Sequence, residues 1–341
     1  MKRITGLMKN ICTMSNALLA YRKARRCKRY RPEVLEFEAN REEYLSKARR
    51  ELKSLTYTPG KYKVFKVWEP KERIIMALPF YDRVIQHMIV NYIEPFEHQF
   101  IYHSYACRKG KGAHRASKQL TRWLDNLEIG QGKSVEGQKA DIHHYFQSID
   151  HKVLKKELRT YIKDKDLLVI LDRIIDHNGI FPDGVGIPVG NLTSQLFANV
   201  YLHRLDMFVK HTLHVKYYMR YMDDFLIISD DLEQLKRWEK QIETFLAEVL
   251  KLQLNPKTTI VYAKNGVDFV GYRHWNSTKK IRKDAMRRLK RLMKNFKDGT
   301  ITEEFFDKSL TSRIGSIKHA DTYNLVEKIT CEAKELKESH A

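Results

Sequence analysis

Lys216-Tyr217-Tyr218-Met219-Arg220-Tyr221-Met222-Asp223-Asp224-Phe225-Leu226-Ile227-Ile228-Ser229 is the stretch whose reading decides the fold. Two apolar, aromatic-rich runs flank a short polar break. That pattern predicts strand, tight turn, strand, with two adjacent carboxylates at the tip. Carboxylates held together at a tight turn repel each other unless a cation neutralises them. Mg²⁺ prefers oxygen ligands, often one or two carboxylates plus substrate phosphates. An Asp-Asp pair alone reads most simply as a solvated turn. Tyr221 to Asp224 between two apolar strands is a more specific pattern.

Working outward, a metal site needs a third carboxylate, and Asp141 is the best candidate. It is expected to end an apolar strand and open Asp141-Ile142-His143-His144-Tyr145-Phe146. With strand 139–142 beside the hairpin, Asp141 would face Asp223 across the sheet. Two metal ions about 3.5–4 Å apart could then be clamped. The predicted order is strand with Asp, helices, hairpin with Asp-Asp, helix, strand, which is the βαββαβ order of a ferredoxin-like unit. His143 and His144 are not read as ligands, because neighbouring residues on an extended segment point apart.

The chain has 341 residues, enough for two or three domains. Lys and Arg number 63 against 42 Asp and Glu, a formal charge of +21. That excess implies a polyanionic partner, since each neutralised phosphate releases counterions. Nucleic acid is favoured over a membrane surface, for no apolar run approaches the roughly 18 residues needed to span a bilayer. Only Ala17-Leu18-Leu19-Ala20 forms an apolar patch near the N-terminus, so a secretory signal is not expected. Cys12, Cys27, Cys107 and Cys331 are too dispersed for a zinc pair and read as thiols in a reducing cytoplasm.

Residues 10–55 read as helical and carry Arg22 to Arg31, seven basic residues in ten with Tyr30 interleaved. Arg25, Arg26 and Arg29 are the candidates there for a nucleic-acid backbone. Pro59-Gly60 breaks the chain before a strand at 62–67. Residues 81–99 read as a helix. Arg108, Lys109 and Lys111 lie on a glycine-containing basic loop suited to phosphate. A polar turn is expected over Gly130–Gly137, and a strong helix over 191–209. Asp230 with Glu233 is expected to cap the helix after the hairpin. A basic amphipathic helix is predicted over 279–292, with Lys283, Arg287 and Arg291 as further nucleic-acid contacts, and Asp298-Gly299 ends it. Three segments result: 1–58, a basic helical extension; 59–275; and a helical, basic 276–341.

At this point the chain resembles a prokaryotic reverse transcriptase over roughly residues 60–275. Tyr221 to Asp224 and Asp141 to Phe146 resemble the two metal-binding motifs. The resemblance implies an α+β right-hand polymerase, with fingers and a ferredoxin-like palm over 59–275 and a thumb over 276–341. It implies two Mg²⁺ ions, with Mn²⁺ as a possible substitute, on Asp141, Ile142, Asp223 and Asp224. Lys71-x-Arg73 resembles the triphosphate grip of the fingers. Phe146 falls where the family places a steric gate against the ribose 2′-hydroxyl. Leu254-Asn255-Pro256-Lys257-Thr258 resembles the motif whose lysine protonates the leaving pyrophosphate. Val270, Gly271 and Tyr272 fall in the primer grip.

One motif departs from the general pattern. Many members have Gln-Gly-x-x-x-Ser-Pro at the helix supporting the template base. Here Val189-Gly190-Asn191-Leu192-Thr193-Ser194-Gln195 resembles the version of diversity-generating retroelements. Val189, Gly190 and Gln195 are therefore expected at the nucleotide site, with misincorporation opposite adenine. The resemblance further implies template RNA, cDNA or primer, dNTPs, a small basic accessory protein and a cytoplasmic, bacterial or phage-encoded setting. A retron or group II intron-like enzyme, an RNA-dependent RNA polymerase and a non-catalytic RNA-binding palm are the alternatives.

Overall fold

A computed structural model describes residues 5–68, 72–131 and 136–338, with backbone alone considered at 128–131. Nine strands lie within it: β1 Lys63–Trp68, β2 Glu72–Ala77, β3 Glu136–Ala140, β4 Tyr217–Tyr221, β5 Asp224–Ser229, β6 Thr259–Tyr262, β7 Val267–Phe269, β8 Tyr272–His274 and β9 Lys279–Ile281. The chain divides into two compact units that interleave in sequence. One comprises Met1–Cys107, Asp141–Val215 and Glu239–Pro256; the other comprises Arg108–Ala140, Lys216–Trp238 and Lys257–Ala341.

The first unit is mostly helical. Helices Met14–Ala24, Pro32–Ala39 and Arg41–Lys53 follow a five-residue turn of helix at Leu7–Ile11. Their aromatic rings meet those of helix Phe80–Ile93: Phe37 stacks on Tyr21 at 5.5 Å and meets Phe80 edge-on at 5.1 Å. Each such buried ring contributes about 1.5–3 kcal/mol by removal from water. Asn16 Nδ2 donates to the Met88 carbonyl at 3.0 Å, tying the basic N-terminal helices to the same core. Strands β1 and β2 form an antiparallel ribbon, with Val67 opposite Arg73. Every residue of β1 is exposed.

The second unit holds the hairpin. Its four-stranded sheet has the order β4-β5-β3-β6, antiparallel throughout. That is the strand order of a ferredoxin-like sheet, as the βαββαβ pattern predicts. Phe225, Leu226, Ile227 and Ile228 are all buried, so β5 is an interior strand on both faces. The expectation of an apolar strand before Asp141 needs correction: β3 reads Glu-Gly-Gln-Lys-Ala, yet Glu136 and Gln138 are buried. Lying between β5 and β6, it satisfies its backbone on both sides, and position rather than propensity makes it a strand.

A three-stranded sheet, β7-β8-β9, follows. Lys279–Ile281 forms its last strand, paired to Tyr272–His274, so the basic helix begins at Lys283 rather than 279. The pairing to β8 supplies backbone partners that a helix would have had to make alone. Helices Lys283–Lys297, Glu303–Ile317 and Tyr323–Glu338 close around Leu289, Leu292, Phe296, Phe306, Leu310 and Ile329. Phe296 and Phe306 stack at 4.2 Å. The helix after the hairpin is capped by Asp231, whose Oδ1 accepts from Gln234 N at 2.9 Å, and not by Asp230. Among the described residues no helix is long and apolar enough to cross a membrane.

Candidate active site

The hairpin fixes the geometry around Asp223 and Asp224. Tyr221 pairs with Asp224, leaving Met222-Asp223 as a two-residue loop. Two-residue loops need left-handed backbone because their twist must match the flanking strands. Met222 supplies it at φ 59°, a conformation that costs an L-residue about 1–2 kcal/mol. Arg220 compensates from inside the sheet. Its side chain is 0% exposed, and Nη1 donates to the Met222 carbonyl at 2.9 Å. Sequence reasoning missed this residue. The available signal was a lone cation inside an otherwise apolar, aromatic strand.

Asp223 and Asp224 are half-buried, as is Asp141. Asp141 lies in the other unit by division, directly after Ala140, the last residue of β3. Its carbonyl accepts from Asn255 N at 2.7 Å, and its Oδ2 accepts from Asn255 Nδ2 at 3.2 Å. Ile142 is bridged to Leu254. Its side chain is buried, so it has only a backbone carbonyl to offer a cation. All of these donors are hard oxygens, and none of the carboxylates is sealed from solvent. Each is by itself the kind of oxygen donor that a hard divalent cation takes. Among the described residues no group of three or more His, Cys, Asp or Glu side chains is gathered as a metal cage.

His143 and His144 do not point apart as expected. His144 takes φ 45° at the start of the short helix Tyr145–Ser148, so the segment is bent and the two rings meet edge-on at 4.1 Å. Both are exposed. Phe146 is half-buried in that helix, and its carbonyl accepts from Ile187 N at 2.8 Å.

Val189 and Gly190 lie against β2. Met76 N donates to the Val189 carbonyl at 3.0 Å. Gly190 takes φ 120°, and a Cβ there would come within 3.1 Å of Ile75 Cγ2 and 3.2 Å of the Met76 carbonyl oxygen. Val189 is half-buried, while Gly190 and Gln195 are exposed. Arg73 is exposed on the same strand, β2. Lys71 lies outside the described residues, as do 132–135 of the polar turn expected at 130–137, whose two ends instead belong to helix Ala113–Gln131 and to β3.

Lys257 is exposed just after the Asn255 contact. Val270 and Gly271, at φ 43° and 92°, form the two-residue loop between β7 and β8. Tyr272 Oη donates to the Ser316 carbonyl at 2.8 Å, binding that hairpin to the helices that follow.

The basic candidates divide. Arg25 is half-buried, pairs with Glu38 at 2.6 Å and covers the Tyr21 ring at 4.8 Å, so it serves internal packing. Arg26 and Arg29 are exposed, as is Lys109. Lys111 is half-buried, and burial together with Arg108 and Arg115 pushes its pKa down. Lys283, Arg287 and Arg291 recur every fourth residue along the exposed side of their helix, with Arg287 within 3.0 Å of Asp284.

Residues 65–274, more than half of the chain, match the family described as reverse transcriptase (RNA-dependent DNA polymerase). The chain belongs to that family, and its mixed helix-and-sheet fold is of the right-hand polymerase class. Among curated proteins it is similar to Protein YkfC of Escherichia coli (strain K12), at 27% identity over 56% of this chain and 60% of that protein. It is also similar to the group II intron-encoded protein LtrA of Lactococcus lactis subsp. cremoris, at 25% identity over 68% of this chain and 49% of LtrA. The putative COX1/OXI3 intron 2 protein of Saccharomyces cerevisiae follows at 22%, over 63% of this chain and 31% of that protein. The chain thus spans between about a third and three fifths of the length of these relatives. Apo telomerase from Candida Tropicalis, truncated from the C-terminal domain, overlaps at TM-score 0.49 and 14% identity, covering 66% of this chain and 55% of that one.

Proposed function

We propose that this chain is an RNA-directed DNA polymerase that extends a primer on template RNA by nucleotidyl transfer from dNTPs. The supporting observation is the β3–β5 register. Ala140 is opposite Phe225, and the next residue along each strand toward the hairpin tip is an aspartate, 141 and 224. Two Mg²⁺ ions on Asp141, Asp223, Asp224 and the Ile142 carbonyl would neutralise the triphosphate and activate the primer 3′-hydroxyl, with Mn²⁺ as a substitute.

The protein's own contribution is position and charge. Arg73 and Lys71 hold the triphosphate. Phe146 crowds a 2′-hydroxyl and so selects dNTPs over NTPs. Lys257 delivers a proton to the leaving pyrophosphate. Residues 59–275 serve as fingers and palm and 276–341 as thumb, while the exposed cations of helix Lys283–Lys297 track the nucleic-acid backbone. The test is Asp223→Ala. Primer extension should fall by about 10³-fold or more, with template affinity little changed; extension that survives sinks the proposal.

The finer reading is an error-prone enzyme of a diversity-generating retroelement, acting with a small basic accessory protein in a cytoplasm. Val189 supports it. An aliphatic side chain at that position offers only apolar contact, so a mispair leaves no polar partner unmet and is weakly penalised. Products copied from an adenine-rich RNA should carry errors concentrated opposite adenine, and Val189→Gln should reduce them. An unchanged spectrum counts against Val189 as the determinant. The similarity to LtrA favours a second reading, a group II intron-like enzyme. A low error rate, even across the four template bases, would select it.

A further inference from the structure

The turn that carries Val189 is held by a polar network of which only Asn191 belongs to the motifs above. Helix Leu192–Met207 begins without a side-chain cap of its own. Its first N–H, on Leu192, is instead accepted by Gln86 Oε1 at 3.1 Å from the helix Phe80–Ile93. Gln86 is 1% exposed. Asn191, which occupies the capping position, turns away and donates Nδ2 to the Tyr62 hydroxyl at 3.1 Å. Tyr62 Oη in turn donates to the His177 carbonyl at 2.9 Å, with its ring stacked on the His177 imidazole at 4.7 Å. His177 Nε2 lies 2.9 Å from the Gly60 carbonyl, which fixes that nitrogen as the protonated one. Burial raises the Tyr62 pKa to about 12, so its hydroxyl stays a donor throughout the working range.

Three otherwise separate pieces of chain therefore meet on one turn: the segment at 60–62, helix Phe80–Ile93 and the end of helix Lys165–Asp176. The turn is also pinned to β2, where Met76 N donates to the Val189 carbonyl. A valine has no hydrogen bond of its own with which to hold a pairing partner. Its placement is therefore set by backbone, and that backbone is held by Tyr62, Asn191 and Gln86 together with the Met76 amide.

We infer that Tyr62 and Gln86 are positioning residues for base selection: they hold Val189 at a fixed distance from the nascent pair and so set which mispairs are extended. This rests on the reading of Val189–Gln195 as part of the nucleotide site. The variant Tyr62→Phe keeps the stacked ring and removes both hydrogen bonds. Asn191→Ala removes the donor from the other side. Gln86→Met removes the acceptor for Leu192 N at similar volume.

Single-nucleotide incorporation on a defined RNA template separates the outcomes. In Tyr62→Phe and Asn191→Ala the KM for the correct dNTP should rise about fivefold, the weight of one buried hydrogen bond, with kcat little changed. The ratio of incorrect to correct incorporation should shift by a similar factor. The double variant should go no further than Tyr62→Phe alone, since that single already breaks the one hydrogen bond that Asn191→Ala removes. A purely structural role would instead lower thermal stability and scale all incorporation alike, leaving the ratios as in the parent protein; that result overturns the inference. Gln86→Met gives an independent arm with the same expectation. If Val189→Gln alters the ratios and none of these variants does, the inference is wrong while the site reading stands. If the parent chain makes no DNA on RNA, both fall.

Discussion

Gly190→Ala tests the placement of the Val189 turn directly. At φ 120° an L-residue is strained, by about 1–3 kcal/mol. The new methyl would also lie 3.1 Å from Ile75 Cγ2 and 3.2 Å from the Met76 carbonyl oxygen. The first neighbour is a side-chain methyl and can yield. The second is backbone of β2, and the same residue's N–H is bonded to the Val189 carbonyl at 3.0 Å. Moving it away lengthens that bond, so overpacking adds roughly another 1–2 kcal/mol. The total expected loss is about 2–5 kcal/mol. Gly184→Ala is the internal reference: Gly184 takes φ 79° with no atom within 4 Å of a Cβ, so only backbone strain applies, about 1–2 kcal/mol. Urea unfolding of both variants measures the difference, with amide exchange of Met76 as the local reporter. Faster exchange at Met76 is expected in Gly190→Ala alone. Equal stability of the two variants, or unchanged exchange at Met76, refutes the steric account of this turn.

Three further outcomes are expected. Phe146→Ala should raise NTP incorporation relative to dNTP, and strong NTP use by the parent protein would remove Phe146 as the gate. Replacing Lys283, Arg287 and Arg291 together by alanine should flatten the dependence of log affinity on log salt by up to about 2–3 units, at roughly 0.7–0.9 for each phosphate no longer neutralised; an unchanged slope clears this helix of any role at the nucleic-acid backbone. His274 is fully buried, with Nε2 2.9 Å from Ser117 Oγ and Nδ1 3.1 Å from the Val267 carbonyl, and burial lowers its pKa to about 4. The unfolded chain therefore binds the proton first. The stability tied to neutral His274 is present above about pH 6.5 and is lost as pH falls toward 4, by at most about 1.4 kcal/mol per pH unit. In His274→Gln that part of the acid dependence should vanish, and an unaltered profile between pH 6.5 and 4 argues against it.

The hairpin, the ferredoxin-like strand order and the helix behind Val189 were legible because each has a local signature. An apolar run broken by a two-residue polar tip can fold back only as a hairpin. A 3.6-residue apolar stripe can bury itself only as a helix. β3 and β9 were harder, because Glu-Gly-Gln-Lys-Ala and Lys-Lys-Ile have no strand signature. They are strands because neighbours already in place supply backbone partners on their edges. Arg220 and Gln86 were hidden for a related reason. Each is an ordinary polar residue in sequence, and each acquires its role from a carbonyl or amide that another segment delivers.

Sequence alone determined the chemistry on offer: the three aspartates, Phe146, the Val189 motif and a surface rich in cations. Residue type and short-range spacing decide those, and both are local properties. Tertiary structure decided how they are held. Met222 keeps a strained backbone because buried Arg220 secures its carbonyl. Arg25 is turned inward by Glu38 and Tyr21. Val189 takes its place from Tyr62, Asn191 and Gln86, drawn together from distant parts of the chain. These last contacts join residues 129 and 106 positions apart, and no local pattern encodes a partner that distant.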